Sequence, residues 1–166
     1  MSRRPARPQP VRPRASRRPV GWIAWAVAAL ATLALAGQTV RSLDRLTASR
    51  ALWRVEILSR SAVAAGRSSR ELFAQNLQTL SRVAPLDPLE VGIPLARGAQ
   101  YLLLGSGEAA EEAYFEALRL EPRPEVYLNL GRAQLLAGHQ ASAKQSFATA
   151  VKLDPNLAPY VPAAGR

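Results

Sequence analysis

The chain has 166 residues, 22 of them basic and 12 acidic, with a formal net charge of +10 and no cysteine. It therefore forms no disulfide, zinc–thiolate site or cysteine nucleophile. Seven arginines fall within residues 1–19, which contain no acidic residue, so the rest of the chain is only weakly basic. This uneven charge favours a membrane-topology signal over a basic surface for nucleic acid.

Residues 1–19 combine these arginines with five prolines. Proline blocks helix propagation, and the segment has too few apolar residues to bury a core, so we predict a disordered cytoplasmic tail. The segment also lacks aromatic residues on which bases could stack, and we expect no nucleic-acid partner.

Residues 20–40 carry no charge. A helix rises about 1.5 Å per residue, so this segment is long enough to cross a hydrocarbon core about 30 Å thick. The arginines before it predict a cytoplasmic N-terminus by the positive-inside rule. The composition, rich in arginine and alanine and poor in lysine, is typical of a GC-rich bacterial genome. We therefore predict a single-pass protein of the bacterial inner membrane whose body, residues 41–166, is periplasmic.

Ala34-Leu35-Ala36 has the small-x-small pattern of a signal-peptide cleavage site after an apolar core. Two interpretations remain open at this point. The long uncharged span favours an uncleaved anchor, whereas cleavage after Ala36 would release a soluble periplasmic protein. Both interpretations place the body beyond the inner membrane.

Residues 41–88 are predicted to form a helical hairpin and are a candidate degenerate repeat. Residues 41–65 hold neither proline nor glycine, so a helix is expected to continue from the membrane segment and to pack on the next helix through an apolar stripe. That stripe is Leu43, Leu46, Trp53 and Ile57. The second helix is predicted to begin at the capping box Ser68-x-x-Glu71 and to end before Pro85.

Beyond residue 88 the sequence repeats itself with a period of 33 residues, in copies at 89–122 and 123–157. Small residues, aromatic residues and a closing proline recur in the same order. The matched pairs are Gly98 and Gly131, Gly105 and Gly138, Ala110 and Ala143, Tyr114 and Phe147, Ala117 and Ala150, and Pro122 and Pro155. Small residues let two helices approach closely, aromatic residues fill the space between hairpins, and proline ends each unit.

This pattern resembles the tetratricopeptide repeat (TPR) family. The second copy matches at Tyr127-x-x-Leu130-Gly131 and Ala143-x-x-x-Phe147, and the first at Tyr101 and Ala110-x-x-x-Tyr114. The resemblance implies an all-α fold: a short right-handed TPR-like helical solenoid of two to three hairpins, preceded by the transmembrane helix and followed by a tail of residues 158–166. It also implies a protein-binding scaffold and not an enzyme.

By the same resemblance, the first helix of each repeat lines a concave groove for a protein partner. The implied groove residues are Leu95, Ala99, Leu102, Leu128, Asn129, Arg132 and Leu135. Most are apolar, which favours a hydrophobic segment of the partner. Asn129 and Arg132 are expected either to bind the partner's backbone and carboxylate or to serve as ordinary surface or inter-helix residues. The lysines and arginines of the family's carboxylate clamp are absent, so chaperone-tail binding is not predicted.

The remaining polar residues show no catalytic, cofactor or metal pattern. The only histidine, His139, is expected in an exposed turn between two helices. Four glutamates, Glu108, Glu111, Glu112 and Glu116, are predicted to form a solvated acidic face near a helix start. We therefore expect no cofactor and no enzymatic activity.

The chain stops shortly after Pro155 without the polar helix that usually caps such a solenoid. An apolar face is therefore expected on the last repeat, at Leu136, Phe147, Ala150 and Val151. The C-terminal tail, a partner or a second copy of the chain could cover this face, and we favour a partner or self-association. Together these features predict a membrane-anchored scaffold that serves a cell-envelope complex, for polysaccharide assembly or secretion, whose partner the sequence does not identify.

Overall fold

The computed structural model describes residues 20–66 and 69–165, with side chains from Trp25 onward. The predicted tail of residues 1–19 and the predicted cap Ser68 lie outside the described residues. The chain divides into two units, Met1–Thr39 and Val40–Arg166. The second unit carries all the helical hairpins and the site described below.

Every regular element in the described ranges is helical. The α-helices are α1 (Val20–Ala64), α2 (Arg70–Val83), α3 (Gly92–Leu104), α4 (Gly107–Leu120), α5 (Pro124–Leu136) and α6 (Gln140–Leu153). Short 3-10 turns follow α2 and α6. The predicted all-α, TPR-like fold class is confirmed.

Helix α1 runs without interruption from the uncharged segment into the second unit. Within that unit, its buried face is formed by Ala48, Val55 and Ser59, which are 0%, 1% and 8% exposed. Ala48 and Val55 pack with residues of α2 and α3 in one apolar cluster. These side chains are seven and four residues apart, so they share one helix face, and their small size allows close approach of the neighbouring helices.

The predicted packing stripe of α1 was wrong. Its four members are all exposed, with exposed fractions from 44% to 65%, at Leu43, Leu46, Trp53 and Ile57. The prediction chose the helix face that carries the largest apolar residues. The smaller residues on another face decide the packing, because they permit the shorter distance between helix axes.

Helix α2 begins one residue later than its predicted capping box. Its N-cap is Ser69, whose Oγ accepts a hydrogen bond from the Leu72 backbone N–H at 3.2 Å. The backbone amide of Glu71 and then the Ser69 hydroxyl lower the pKa of the Glu71 carboxyl. At its other end, α2 passes into the 3-10 turn Ala84–Leu86, where Pro85 can donate no backbone hydrogen bond.

The two repeats α3–α4 and α5–α6 use the same contact between a glycine and an aromatic ring. A Cβ atom on Gly98 would lie 2.7 Å from the Tyr114 ring, and one on Gly131 would lie 2.6 Å from the Phe147 ring. The helices of each hairpin therefore approach at distances that only glycine permits. The alanines that flank the aromatic residues are fully buried, at Ala110, Ala117, Ala143 and Ala150.

The remaining residues of the repeat pattern lie in or beside the two cores and at the helix ends. Leu130 is 2% exposed in the core around Tyr114, and Tyr101 packs against the same core. Tyr127 packs against the cluster around Phe147. The two closing prolines follow the second helix of each hairpin: Pro122 lies between α4 and α5, and Pro155 opens the 3-10 turn after α6. Gly105 and Gly138 end α3 and α5 with φ of 78° and 84°, a conformation that favours glycine.

The C-terminal tail packs on the last repeat and covers Phe147 and Ala150, which is one of the alternatives that the sequence left open, while Leu136 stays 47% exposed. The chain turns back through two short 3-10 turns, Pro155–Tyr160 and Ala163–Gly165. Val161 is 7% exposed and packs with Phe147 and Ala150. The prolines that exclude a further α-helix still allow these tight turns, so a few residues bury the apolar end.

Candidate functional site

A groove lies between α1 and α3, and α5 contributes one residue to it. We call it the α1–α3 groove; its volume is about 690 Å³. Helix α1 contributes Leu52, Val55, Glu56, Ser59, Arg60 and Val63, helix α3 contributes Leu95, Ala96, Ala99, Gln100 and Leu103, and α5 contributes Asn129. Most of these side chains are apolar, so the groove suits a hydrophobic ligand.

Three of the seven predicted groove residues meet in this groove: Leu95, Ala99 and Asn129. Leu95 and Ala99 lie one helical turn apart on α3, so they share a face. Asn129 comes from the first helix of the next repeat. Their placement agrees with the implied concave surface, while their role in binding stays a prediction.

The other four predicted groove residues lie elsewhere. Leu102 packs against the core around Tyr114, and Leu128 is 5% exposed within the cluster around Phe147. Leu135 packs against that second cluster. Leu128 is buried because the tail covers the end of the last repeat, which the sequence did not predict.

Arg132 is an inter-element contact and does not line the α1–α3 groove. Its guanidinium donates to Asn129 Oδ1 at 3.0 Å and to the Tyr160 backbone carbonyl at 3.2 Å. It therefore holds both the tail and the Asn129 side chain. This agrees with the inter-helix role that the sequence left open for Arg132.

Half of the residues that line the groove come from α1, and the sequence predicted none of them. Helix α1 carries no repeat motif, so the TPR resemblance gave no position to its side chains. Gln100 on α3 was also missed, because it lies beside the repeat positions and not on one of them. Residues 91–104 hold both Arg97 and Gln100 among mostly apolar residues, so polarity alone did not single out Gln100.

The groove has a polar floor. Ser59, Asn76 and Gln100 are 8%, 4% and 2% exposed and come from α1, α2 and α3. Asn76 Nδ2 donates to Gln100 Oε1 and lies near Ser59 Oγ, each at 3.1 Å. Ser59 Oγ lies 2.7 Å from the Val55 carbonyl and 3.1 Å from Gln100 Oε1, so its single hydroxyl proton serves one of these two acceptors. These bonds join three helices in a region where an unmade hydrogen bond would be costly.

The ionisable groups that line the groove neutralise each other. Glu56 and Arg60 form an ion pair one turn apart on α1. Both are exposed at the rim, so the pair contributes little to stability. The groove therefore offers no unpaired cation among its described lining residues for a ligand carboxylate.

The predicted solvated acidic face is only partly solvated. Glu108 and Glu112 are exposed, whereas Glu116 pairs with Arg97 at 3.0 Å. Glu111 accepts from Gln134 Nε2 at 3.1 Å and lies 2.8 Å from His139 Nδ1. His139 is half exposed in its turn, as predicted, and the contact with Glu111 was not anticipated.

The described residues show no grouping of three or more histidine or acidic side chains that could hold a metal ion. The most perturbed phenol, Tyr114, has a pKa raised by burial against Gly98 and the surrounding core. It serves as a packing residue, because its ring fills the space between α3 and α4.

No protein-family model matches the chain, and a comparison with curated proteins gives no match. Solved structures do match. A thermophilic TPR protein of Thermus thermophilus has a TM-score of 0.59 at 26% identity, over 75% of this chain and 70% of that one. The second TPR domain of Spaghetti (RPAP3), bound to the HSP90 peptide SRMEEVD, has a TM-score of 0.58 at 20% identity, over 70% of this chain and 99% of that one.

The first TPR domain of human RPAP3 has a TM-score of 0.56 at 18% identity, over 66% of this chain and 80% of that one. These likenesses agree with the glycine–aromatic contacts that recur at a period of 33 residues. They support a protein-interaction module. By its helical hairpins and its repeat residues, this chain has a tetratricopeptide-repeat fold.

Proposed function

We propose that this protein is a non-catalytic, membrane-anchored scaffold that binds a segment of a partner protein in the α1–α3 groove. The proposed setting is the periplasmic side of the bacterial inner membrane, in a complex for polysaccharide assembly or secretion. The observation that carries the binding function is the apolar groove on a TPR fold. Among its structural relatives, the second TPR domain of Spaghetti (RPAP3) is bound to a peptide.

The membrane anchor is supported by α1. Its residues Trp25–Ala64 include a stretch long and apolar enough to cross a membrane, a property shared by signal sequences and by core helices of soluble proteins. The arginines of residues 1–19 then favour a cytoplasmic N-terminus.

The topology is tested with a reporter, fused after Arg166, that is active only in the periplasm. We expect activity from the full-length protein in the membrane fraction. Activity in the soluble fraction, with the mass of a chain cut after Ala36, would instead support the secreted adaptor. An inactive reporter would return the module to the cytoplasm and overturn the proposed setting.

The binding function is tested by photo-crosslinking in intact cells. A photoreactive amino acid replaces Ala99 in the groove, and a matched control replaces the exposed Glu112 on α4. We expect a discrete protein adduct from position 99 and none from position 112. Equal adducts from both positions, or none from position 99, would contradict the groove as the binding site.

A further inference from the structure

One face of α1 carries a row of large apolar side chains that stays exposed within the described chain. Its apolar members are Leu43, Leu46, Trp53 and Ile57, with exposed fractions of 62%, 52%, 65% and 44%. Arg50 completes the row, in which the residues follow one another at intervals of three, four, three and four. Such intervals keep all five residues on one side of a helix. We call these five residues the α1 seam.

The α1 seam lies opposite the face of α1 that packs inside the second unit. Val55, which is buried in that packing face, lies two positions from Trp53 and from Ile57. Two positions correspond to about 200° around a helix. Helices α2 and α3 therefore leave the seam accessible to another molecule. The seam shares no residue with the α1–α3 groove, so both surfaces can be occupied at once.

The spacing of the α1 seam is that of a coiled coil. Alternating intervals of three and four residues are those of the a and d positions of a heptad repeat, which pack against a second helix of the same pattern. In a parallel homodimer, each a or d residue meets its own counterpart, so a single sequence supplies both halves of the interface. A second copy of this chain therefore fits the seam without any further requirement on its sequence.

The proposed membrane anchor determines the orientation of such a pair. Two copies inserted with the same topology run in the same direction, so their seams meet in parallel. The residues that flank the seam are compatible with this arrangement, in which a g residue faces an e residue five positions later in the second copy. Ser49 then faces Arg54, and Glu56 faces Ser61. These flanks bring no like charges together.

The uncharged segment, considered by itself, carries small residues at the same spacing. Ala29, Thr32, Ala36 and Thr39 follow one another at intervals of three and four, and four more positions lead to Leu43. The hydroxyls of Thr32 and Thr39 donate to the Ala29 and Ala36 carbonyls of their own helix, at 2.8 Å and 2.7 Å. Small residues let helices approach closely within a bilayer. This spacing supports association of α1 helices in the membrane as well.

The area of the α1 seam shows that the membrane segment is needed. At roughly 100 Å² for each large apolar side chain, two copies would bury about 800 Å² at the seam. A standard interface between freely diffusing proteins buries at least about 1,200 Å². Anchoring in one membrane compensates, because it raises the effective concentration of the second copy and adds contacts between the uncharged segments.

We propose that this protein forms a parallel dimer in the membrane, in which the α1 seam of one copy packs against the α1 seam of a second copy. This inference rests on the membrane anchor of the proposed function. It does not depend on the α1–α3 groove, which would remain open in each copy.

Arg50 limits the assembly to two copies. It occupies an a position in the middle of the seam, where it faces its counterpart in the second copy. One polar residue at such a position lowers the stability of a coiled coil and specifies its register and number of strands. Replacing Arg50 by leucine should therefore strengthen the association, whereas a seam that faces solvent would gain nothing from that change.

The experiment uses the full chain in phosphatidylcholine liposomes at a series of protein-to-lipid ratios. The chain has no cysteine, so one introduced cysteine reports on one position. A disulfide requires Cα atoms within about 7 Å of each other, and only a parallel pair in register satisfies this at both ends of the seam. We expect oxidation to give disulfide dimers from L43C and from I57C. The matched control is L58C, because Leu58 is 41% exposed but lies outside the seam, and it should give few dimers.

Two further variants, each made in the L43C background, test the contacts within the seam. W53A should raise the protein-to-lipid ratio at half-maximal dimer roughly fivefold, and R50L should lower it roughly fivefold. The control L58A should leave this ratio unchanged. Nanodiscs that hold one copy each separate association from folding, because no second copy is present there. In them, W53A should unfold at the same urea concentration as the wild type.

The proposal would be overturned by the absence of dimers from either end of the seam, or by equal dimer yields from I57C and L58C. Unchanged association of W53A or of R50L would also contradict it. The reporter fused after Arg166 tests the anchor independently. If the reporter is active in the membrane fraction while no dimer forms, the dimer is wrong and the proposed anchor stands.

Discussion

Gly98 and Gly131 determine how closely the two helices of each repeat approach. A methyl group at Gly131 would lie 2.6 Å from Cε1 of Phe147, and that ring is itself 2% exposed. Phe147 cannot move away easily, because the tail residue Val161 packs in the same cluster. The glycine, the ring and the tail therefore form one packing unit.

The substitution Gly131→Ala tests this packing unit. Overpacking costs about 1–3 kcal/mol, while replacing a helical glycine by alanine gains roughly 1 kcal/mol in helix propensity. We expect a net loss of stability, measured as a lower thermal midpoint by far-UV circular dichroism of the full chain. In a Phe147→Leu background, which removes the ring, the same substitution should become neutral or stabilising. A loss of equal size in both backgrounds would contradict the contact.

The repeat residues could be predicted from the sequence because their pattern is local. Gly131 and Phe147 are 16 positions apart, the same spacing as Gly98 and Tyr114, so one period reveals both contacts. Gln100 could not be predicted in the same way. Its partners Ser59 and Asn76 lie far back along the chain in helices without a motif. Only the fold brings the three side chains together.

Helix α1 shows why size alone is a poor guide to a packing face. The predicted packing stripe included Trp53, which is 65% exposed, and left out Ala48, which is fully buried. An amphipathic pattern identifies apolar residues, but a long helix can carry apolar residues on more than one side. The sequence thus predicted that α1 is a helix and missed which side contacts its neighbours.

The substitution Ala48→Leu tests the corrected face of α1. Three added carbon atoms at a fully buried position should cost about 1–3 kcal/mol of the free energy of unfolding. The control Trp53→Ala removes a much larger but exposed side chain and should change stability by less than about 0.5 kcal/mol. Urea unfolding of the full chain in nanodiscs measures both. A larger effect from Trp53→Ala would restore the predicted stripe.

The start of α2 is tested by Ser69→Ala. Loss of the Oγ acceptor leaves the Leu72 N–H without its cap, at a cost of about 1 kcal/mol. The matched control is Ser68→Ala, at the position where the capping box was predicted. We expect the urea midpoint to fall for Ser69→Ala and to stay near wild type for Ser68→Ala. The reverse order would show that the sequence located the cap correctly.

At the scale of the whole molecule, the second unit has a tail that packs on its last repeat and a groove between α1 and α3. The tail buries the end of the last repeat, and α1 forms one wall of the groove beside α3. A helix outside the recognised repeats therefore lines the groove proposed to bind the partner. This explains why the TPR resemblance alone predicted the fold better than the site.

The tail is the least expected part of the fold, and Val161→Asp tests its role. A carboxylate at a position 7% exposed would lose hydration beside Phe147 and Ala150, so the tail should detach from the last repeat. We expect a lower thermal midpoint and new binding of an apolar dye to the uncovered face. The control Tyr160→Ser alters a side chain that is 62% exposed and keeps the backbone carbonyl that accepts from Arg132. Dye binding equal in the two variants, or absent from Val161→Asp, would mean that the tail does not cap the repeats. Because Leu128 joins the same cluster, the uncovered face would include a residue that the sequence assigned to the groove.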